Sequence, residues 1–190
     1  MLGLISSACA NLQPIKTPTM TTYTIDTVAE THQRADPISK TILVATPTAE
    51  PAYNNKQMIY TDTTYELKTF GRSQWIAPPA QLLQPLLVQS LANTHYFQAV
   101  VAAPFSGQSD YRLETRLVKL QQEFFKQPSE LHLVIQARIV NNSTQRVIAD
   151  KLFHTRIAAI DDSPRGGAIA ANHATALLLK QLVEFTLDAI

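Results

Sequence analysis

Residues 55–91 read NKQMIYTDTTYELKTFGRSQWIAPPAQLLQPLLVQSL, and this stretch decides the fold. Its first part alternates apolar and polar residues around a polar turn at 61–64, a pattern typical of a β-hairpin. Pro78 and Pro79 then mark the start of a helix, where missing N–H groups cost little. Leucines at spacings of three and four give this helix one apolar face. Pro85 lies within the face, so the helix either begins near it or is kinked there.

More strands and a second helix are predicted around this segment. Alternating or apolar runs predict strands in 21–28, 40–53, 96–101, 111–125 and 130–160, the last with an Asn-Asn-Ser turn. The final segment predicts a helix whose buried face carries Ala170, Ala174, Leu177, Leu178, Leu182 and Phe185. The expected fold class is α+β, a mostly antiparallel sheet with two main helices packed on one face, in a single domain.

The composition excludes several classes of function. A chain of 190 residues with 45% hydrophobic residues can build one core without disulfides or metal. The net charge of +1 and the scattered Lys and Arg residues give no field for nucleic acid, so no nucleic-acid partner is expected. No apolar run reaches the ~20 residues that a membrane-spanning helix needs.

The first ten residues, MLGLISSACA, hold the only cysteine of the chain, Cys9. An apolar run, small residues and then cysteine is typical of the end of a bacterial lipoprotein signal, and predicts lipidation of Cys9. The alternative is a cytosolic protein with an incidental buried thiol. The Pro/Thr-rich residues that follow are interpreted as a flexible tether. We therefore divide the chain into 1–20, with the signal remnant, lipidation site and tether, and 21–190, the folded domain.

No set of side chains is spaced for catalysis. His132 and His154 are placed to face each other across a hairpin, but no third metal ligand is near in sequence. Asp161 and Asp162 precede the last helix, where acidic and capping residues are common. We expect no catalytic residue, metal or cofactor, and no enzyme activity.

The aromatic residues Tyr53, Tyr60 and Trp75 are the candidate partner-binding residues. Aromatic side chains in a proline-flanked segment supply large contact area at low entropic cost, as protein interfaces favour. The alternative is that Trp75 fills the gap between the first helix and the sheet.

The same segment resembles a known protein family. The order is an apolar strand, Pro51, Tyr53, then Gln57–Tyr60, Glu66-Leu67, Trp75, Pro78 and the leucine-rich helix. This order is similar to that of the ABC-type transport auxiliary lipoproteins, which include the paraquat-inducible intermembrane transport lipoproteins. The strand DYRLETRLVKLQQEF at 110–124 and the Ala/Leu-rich final helix extend the resemblance over roughly residues 21–188.

The resemblance implies a non-catalytic periplasmic lipoprotein that works with mammalian-cell-entry (MCE) proteins and an inner-membrane ABC transporter to move phospholipid between membranes. Ala10 directly after Cys9 favours anchoring in the outer membrane. The Tyr53–Trp75 segment is expected to contribute contacts to a homo-oligomer or to the MCE partner. The alternative function is a periplasmic lipid- or small-molecule-binding module with an apolar cavity lined by Leu82, Leu86 and Leu178.

Overall fold

The computed structural model of the protein describes residues 19–190, so Cys9 and most of the predicted tether lie outside the described residues. The strands are β1 Thr21–Tyr23, β2 Ile38–Val44, β3 Thr48–Ala49, β4 Gln57–Thr61, β5 Lys68–Trp75, β6 Phe97–Ala102, β7 Tyr111–Glu123, β8 Glu130–Asn141 and β9 Arg146–Ala158. The helices are α1 Pro79–Ala92 and α2 Pro164–Asp188, and a 3₁₀ turn covers Pro51–Tyr53.

Strand β7 organises a single nine-stranded sheet. Along one edge β7 pairs in parallel with β2, β3 and β4, and along the other it pairs antiparallel with β8, which continues to β9. β5 joins β4 to β1, and β6 extends the sheet beyond β2. The predicted α+β class, two helices and single domain are confirmed.

The prediction of a mostly antiparallel sheet needs correction, because the sheet is mixed. The three antiparallel pairs are hairpins between consecutive strands, namely β4–β5, β7–β8 and β8–β9. The parallel pairs join strands that are distant in sequence. Sequence patterns reveal local hairpins, whereas parallel neighbours need long crossover connections that leave no local signal.

The hairpin and first strand differ in length from the prediction. β5 begins at Lys68, so Tyr65 and Leu67 belong to a loop at 62–67. β1 ends at Tyr23, because the chain then binds Asn172 of α2. The Asn172 side chain accepts a hydrogen bond from Asp26 N (3.0 Å) and donates one to Thr24 O (3.0 Å).

Both helices pack against the sheet and against each other. α1 continues through Pro85, whose side chain is exposed, and buries Leu83, Leu87 and Leu91. The helix therefore does not begin near Pro85. α2 is capped by Ser163, whose Oγ accepts a hydrogen bond from Gly166 N (3.1 Å).

The predicted buried face of α2 holds with one exception. Ala170, Ala174, Leu178 and Leu182 are buried in the core, and Phe185 packs partly against it. Leu177 is half exposed, because a helix turns by about 100° per residue and Leu177 lies on the solvent side of Leu178. Within residues 19–190, neither helix is long and apolar enough to cross a membrane.

Candidate partner-binding surface

The face of β7, β8 and β9 that points away from α2, here called the outer face, carries most of the charged side chains of these strands. Leu113 and Leu117 of β7 are buried in the core beneath the helices. A register shift between Leu117 and Lys119 then moves the alternation by one residue. Gln122 consequently faces Gly167 of α2, and its neighbours Gln121 and Glu123 point to the outer face.

A buried ionic cluster forms where β7, β8 and β9 meet at one end of the outer face. Arg156 Nη1 donates to Glu123 Oε2 at 2.5 Å, and His132 Nδ1 lies 3.0 Å from Glu123 Oε1. Gln121 Nε2 also donates to Glu123 Oε1 at 2.9 Å. Tyr53 Oη donates to Gln121 Oε1 at 2.6 Å and thereby fixes the 3₁₀ turn to β7. The cluster thus holds a buried carboxylate with three side-chain partners.

Burial and the neighbouring charges shift the pKa values in this cluster. Burial by itself would raise the pKa of Glu123, but hydrogen bonds from Arg156, His132 and Gln121 outweigh it and hold that pKa below its ordinary value. Burial lowers the pKa of His132, although the hydrogen bond to Glu123 opposes this. Burial, helped by the Glu123 charge, raises the pKa of the Tyr53 hydroxyl to about 12. At neutral pH the cluster contains an ionised Glu123, a neutral His132 and a neutral Tyr53.

The rest of the outer face presents charges in pairs at its surface. Arg138 bonds to Asp150 through Nε and Nη2 at 3.0 and 2.9 Å, and Gln136 also donates to Asp150 at 3.0 Å. Two further pairs are Arg112–Glu114 at 2.8 Å and Arg116–Glu50 at 2.6 Å. Exposed pairs of this kind contribute only about 0–1 kcal/mol to folding. Breaking such an ion pair therefore costs little folding free energy.

The structure does not bring the three predicted partner-binding residues into one surface. Tyr53 is buried against the outer face, whereas Tyr60 pairs in register with Gln122 and therefore faces the helix side. Trp75 is only 2% exposed and lines, with Met58 and other core residues, a cavity of about 10 Å³. That space holds at most one water molecule. The burial of Trp75 supports the alternative role of filling the interior.

Tyr60 belongs to a half-buried aromatic cluster with Phe70 and Phe124. The ring centroids lie 4.5 Å apart for Tyr60 and Phe70, 5.6 Å for Tyr60 and Phe124, and 6.4 Å for Phe70 and Phe124. The two longer contacts are edge-to-face, a favourable arrangement for aromatic rings. The cluster fixes the ends of β4, β5 and β7 relative to each other.

The predicted histidine pair is close, with ring centroids of His132 and His154 at 6.1 Å. His132 is occupied by Glu123 and Arg156, however, and His154 lies at the surface. Among residues 19–190 no group of three or more His, Cys, Asp or Glu side chains is placed to hold a metal ion. Of the two aspartates before α2, Asp161 accepts a hydrogen bond from Ser163 N at 3.1 Å and Asp162 one from Ser129 N at 2.8 Å.

The cavity expected for a lipid-binding module has no counterpart at the predicted residues. Leu86 and Leu178 are buried in the packed core, and Leu82 packs partly against it. The larger clefts described lie elsewhere. Their volumes are about 260, 320 and 510 Å³. The first includes Arg34 and Lys180, the second Glu123 and Arg156, and the third Arg165. All three are lined largely by polar and charged side chains.

Sequence reasoning missed the ionic cluster because strict alternation places Lys119, Gln121 and Glu123 on the same face as Leu113 and Leu117. One signal was available. Buried leucines occur at the odd positions 113 and 117 and then at the even position 120. Such a change of parity within one strand indicates a β-bulge.

These features define a small α+β domain whose sheet has one face covered by helices and one polar face that the helices leave uncovered. Residues 23–183 match the family model described as ABC-type transport auxiliary lipoprotein component, and the chain belongs to this family. It is thus an auxiliary transport lipoprotein, a class of protein that is membrane-associated and typically non-catalytic.

Solved structures show the same fold. The crystal structure of protein XCC0632 from Xanthomonas campestris, of the DUF330 family, is similar with a TM-score of 0.80 and 23% identity, over 89% of this chain and 96% of that chain. A second structure, of an uncharacterised protein, has a TM-score of 0.70 and 12% identity, over 88% of this chain and 99% of that chain. No curated protein matches the sequence.

Proposed function

We propose that the protein is a periplasmic docking component of an ABC/MCE-type intermembrane lipid transport system, tethered to the outer membrane by a lipid on Cys9. The family match over residues 23–183 carries this proposal. The MCE-domain protein and the inner-membrane ABC transporter complex are its proposed partners. A homo-oligomer is a further proposed assembly.

The outer face supports a docking role. Its arginines and carboxylates are paired within the chain and partly exposed, so a partner can compete for them without leaving a buried charge behind. Complementary charges of this kind give specificity and speed association more than they raise affinity. Arg116 and Arg138 are suited to contact such a partner, because both lie on the outer face and take no part in the buried cluster. Their side chains are 52% and 43% exposed.

The Tyr53–Trp75 segment contributes to this role in two ways. Tyr53 holds the 3₁₀ turn onto β7 from within, and Trp75 supports β5 from the core. Tyr60 is the member of the predicted set that is partly exposed. We propose that Tyr53 and Trp75 position the outer face from within, and that Tyr60, which faces the helix side, contributes contacts to a homo-oligomer.

Charge reversal on the outer face tests the docking proposal. The double variant Arg116→Glu and Arg138→Glu is expected to recover several-fold less MCE-domain protein from native membranes than the wild-type chain does. Lys180→Glu, an exposed change on α2, is the matched control and should recover the wild-type amount. Equal recovery by all three proteins, each folded by circular dichroism, would contradict docking through the outer face.

Metabolic labelling with radioactive palmitate tests the anchor. The full chain is expected to incorporate the label, and the Cys9→Ala variant is expected not to. Incorporation at the same level in both proteins would remove Cys9 as the lipidation site.

A further inference from the structure

Exposed large apolar side chains lie at both ends of the sheet, and one of these ends is here called the loop end. It is formed by the loops 62–67, 124–129 and 159–163. Backbone and side-chain hydrogen bonds tie these segments together: Phe124 N to Thr61 O at 2.9 Å, Ala159 N to Ser129 O at 2.7 Å, and Ser129 N to Asp162 Oδ1 at 2.8 Å.

Each loop contributes at least one exposed apolar side chain. Tyr65 is fully exposed, and Leu67 (52%), Phe125 (55%) and Ile160 (62%) are more than half exposed. Several exposed apolar side chains on neighbouring loops indicate a candidate interaction site. Ile76, Phe105, Val147 and Ile148 are exposed at the opposite end, so the choice between the two ends depends on the direction of β1.

The backbone of Tyr65 gives a second, independent observation. Its φ of 69° lies in the left-handed region, which residues other than glycine rarely adopt. Such positions persist only where the surrounding structure fixes them. His95 and Gln145 adopt the same region in other turns, so the φ of Tyr65 shows a fixed loop conformation. Here the ion pairs of Lys68 with Asp62 at 2.6 Å and Glu66 at 3.4 Å close the loop, and Tyr60, Phe70 and Phe124 support it from below.

The direction of β1 relates the loop end to the proposed anchor. β1 runs parallel to β5, with Thr21 opposite Ser73, so the amino end of β1 points toward the loop end, where β5 begins at Lys68. The twelve residues from Cys9 to Thr21 span at most about 40 Å. Helix α2, which starts at the loop end, has 25 residues and extends about 37 Å toward the opposite end. A short tether therefore favours a membrane at the loop end.

The charges of the loop end identify the kind of surface that it fits. Lys68 is neutralised by Asp62 and Glu66, and Lys126 by Glu130 at 3.3 Å. Arg165, exposed at the start of α2, adds one positive charge, and Asp161 and Asp162 add two negative charges. The loop end therefore has no net positive charge to attract anionic lipids. Tyrosine, leucine, phenylalanine and isoleucine side chains do favour the interfacial region of a bilayer, where their apolar parts leave water.

We propose that the loop end is the membrane-facing end of the protein, and that Tyr65, Leu67, Phe125 and Ile160 insert into the interfacial region of a zwitterionic phospholipid surface. This inference rests on the proposed lipid anchor at Cys9. With the loop end at the membrane, the plane of the sheet lies parallel to the membrane normal. The outer face then points sideways, where a partner can reach it.

Site-specific fluorescence tests the orientation. In the lipidated chain the Cys9 thiol is blocked by the lipid, so an introduced cysteine is the free thiol that the dye labels. Full-length lipidated variants Tyr65→Cys, Phe125→Cys and Ile160→Cys are labelled with an environment-sensitive dye and reconstituted into phosphatidylcholine vesicles. Ser143→Cys, in the exposed β8–β9 turn at the opposite end, is the matched control. We expect blue-shifted emission at the three loop positions, unchanged by high salt, and no shift at position 143.

The outcomes separate this inference from the anchor on which it rests. Flotation of each protein with the vesicles is measured first, and a chain that does not float contradicts lipidation at Cys9. If the chain floats but the three loop labels keep their solvent-like emission, the orientation is wrong while the anchor stands. An equal shift at position 143 also overturns it. Loop labels that shift only in native membranes, and not in pure vesicles, assign the loop end to a protein partner instead.

Discussion

At the scale of single residues, Glu123 is held as a buried carboxylate by Arg156, His132 and Gln121. Removing a charged partner from such a group leaves its desolvation uncompensated. We expect Arg156→Ala to lower the free energy of unfolding by about 1–3 kcal/mol, measured by urea denaturation. The expected loss of unfolding free energy is smaller than for a fully buried ion pair, because the Arg156 side chain is 47% exposed.

The control for this prediction is Arg72→Ala, an exposed arginine in β5 that makes no ion pair within residues 19–190. Its effect should stay within about 0.5 kcal/mol. Equal effects of the two changes would show that Glu123 gains nothing from Arg156.

His132 gives the protein a pH-dependent stability. Because burial lowers its pKa in the folded state, the unfolded chain binds a proton more readily. The contribution of neutral His132 is complete above its unfolded pKa of about 6.5 and is lost as pH falls through the lower folded pKa. The loss cannot exceed about 1.4 kcal/mol per pH unit for one proton. Glu123 titrates in a separate, more acidic window, because its own pKa is lowered.

The measurement compares wild type with His132→Asn, which keeps a polar group near Nδ1 but does not titrate. Urea denaturation at about pH 7.5 and about pH 5.5 should show a smaller drop in stability for the variant than for wild type. The same drop in both proteins would assign this pH dependence to other groups.

At the scale of elements, α2 approaches β7 closely at Gly167. A Cβ atom at this position would lie nearer to the Gln122 side chain than real Cβ contacts allow. Gln122 cannot easily move away, because its Nε2 donates a hydrogen bond to Ser129 Oγ at 2.7 Å. Gly167→Ala is therefore expected to destabilise the protein, although alanine is the better helix former by about 1 kcal/mol. Gly71→Ala in β5, with open space around its Cβ, is the control and should not destabilise. Thermal unfolding measures both, and a gain in stability for Gly167→Ala would show that α2 shifts without cost.

Replacement of Pro85 is expected to change the stability in the opposite direction. It lies inside α1, has no N–H for the helical hydrogen bond and is exposed, so its replacement loses no packing. Pro85→Ala is expected to raise the free energy of unfolding, by at most about 3 kcal/mol. Denaturation by urea checks this, and an unchanged or lower stability would mean that α1 is bent at Pro85 in a way that the core requires.

The sequence predicts these elements well where the signal is local. The β4–β5 and β8–β9 hairpins, both helices and the buried leucines of α1 follow from alternation, proline positions and helical spacing. The parallel partners of β7 could not be predicted, because β2, β3 and β4 reach it through long connections. The ionic cluster was missed for a different reason: one register shift near residue 118 turns Gln121 and Glu123 to the other face.

At the scale of the whole molecule, helices and sheet share one core. Residues as distant in sequence as Ile25, Trp75, Leu133 and Leu187 belong to the same buried cluster. The proposed docking role requires a fixed distance between the membrane and the partner. A body with a continuous core meets this requirement, because it keeps the loop end and the outer face in a fixed relation. The proposed lipid anchor and the proposed partner surface can then be tested independently by mutation.

This shared core predicts that the protein unfolds in one cooperative transition. Trp75 is the only tryptophan, so its fluorescence reports the packing between β5 and α2, whereas far-ultraviolet circular dichroism reports both helices. We expect the two signals to give the same urea midpoint and the same slope. Gly167→Ala should shift both midpoints together, because α2 cannot detach without exposing the core around Trp75. An earlier fluorescence transition would contradict this and would show that the end of the sheet near α2 opens by itself, which a rigid docking component cannot tolerate.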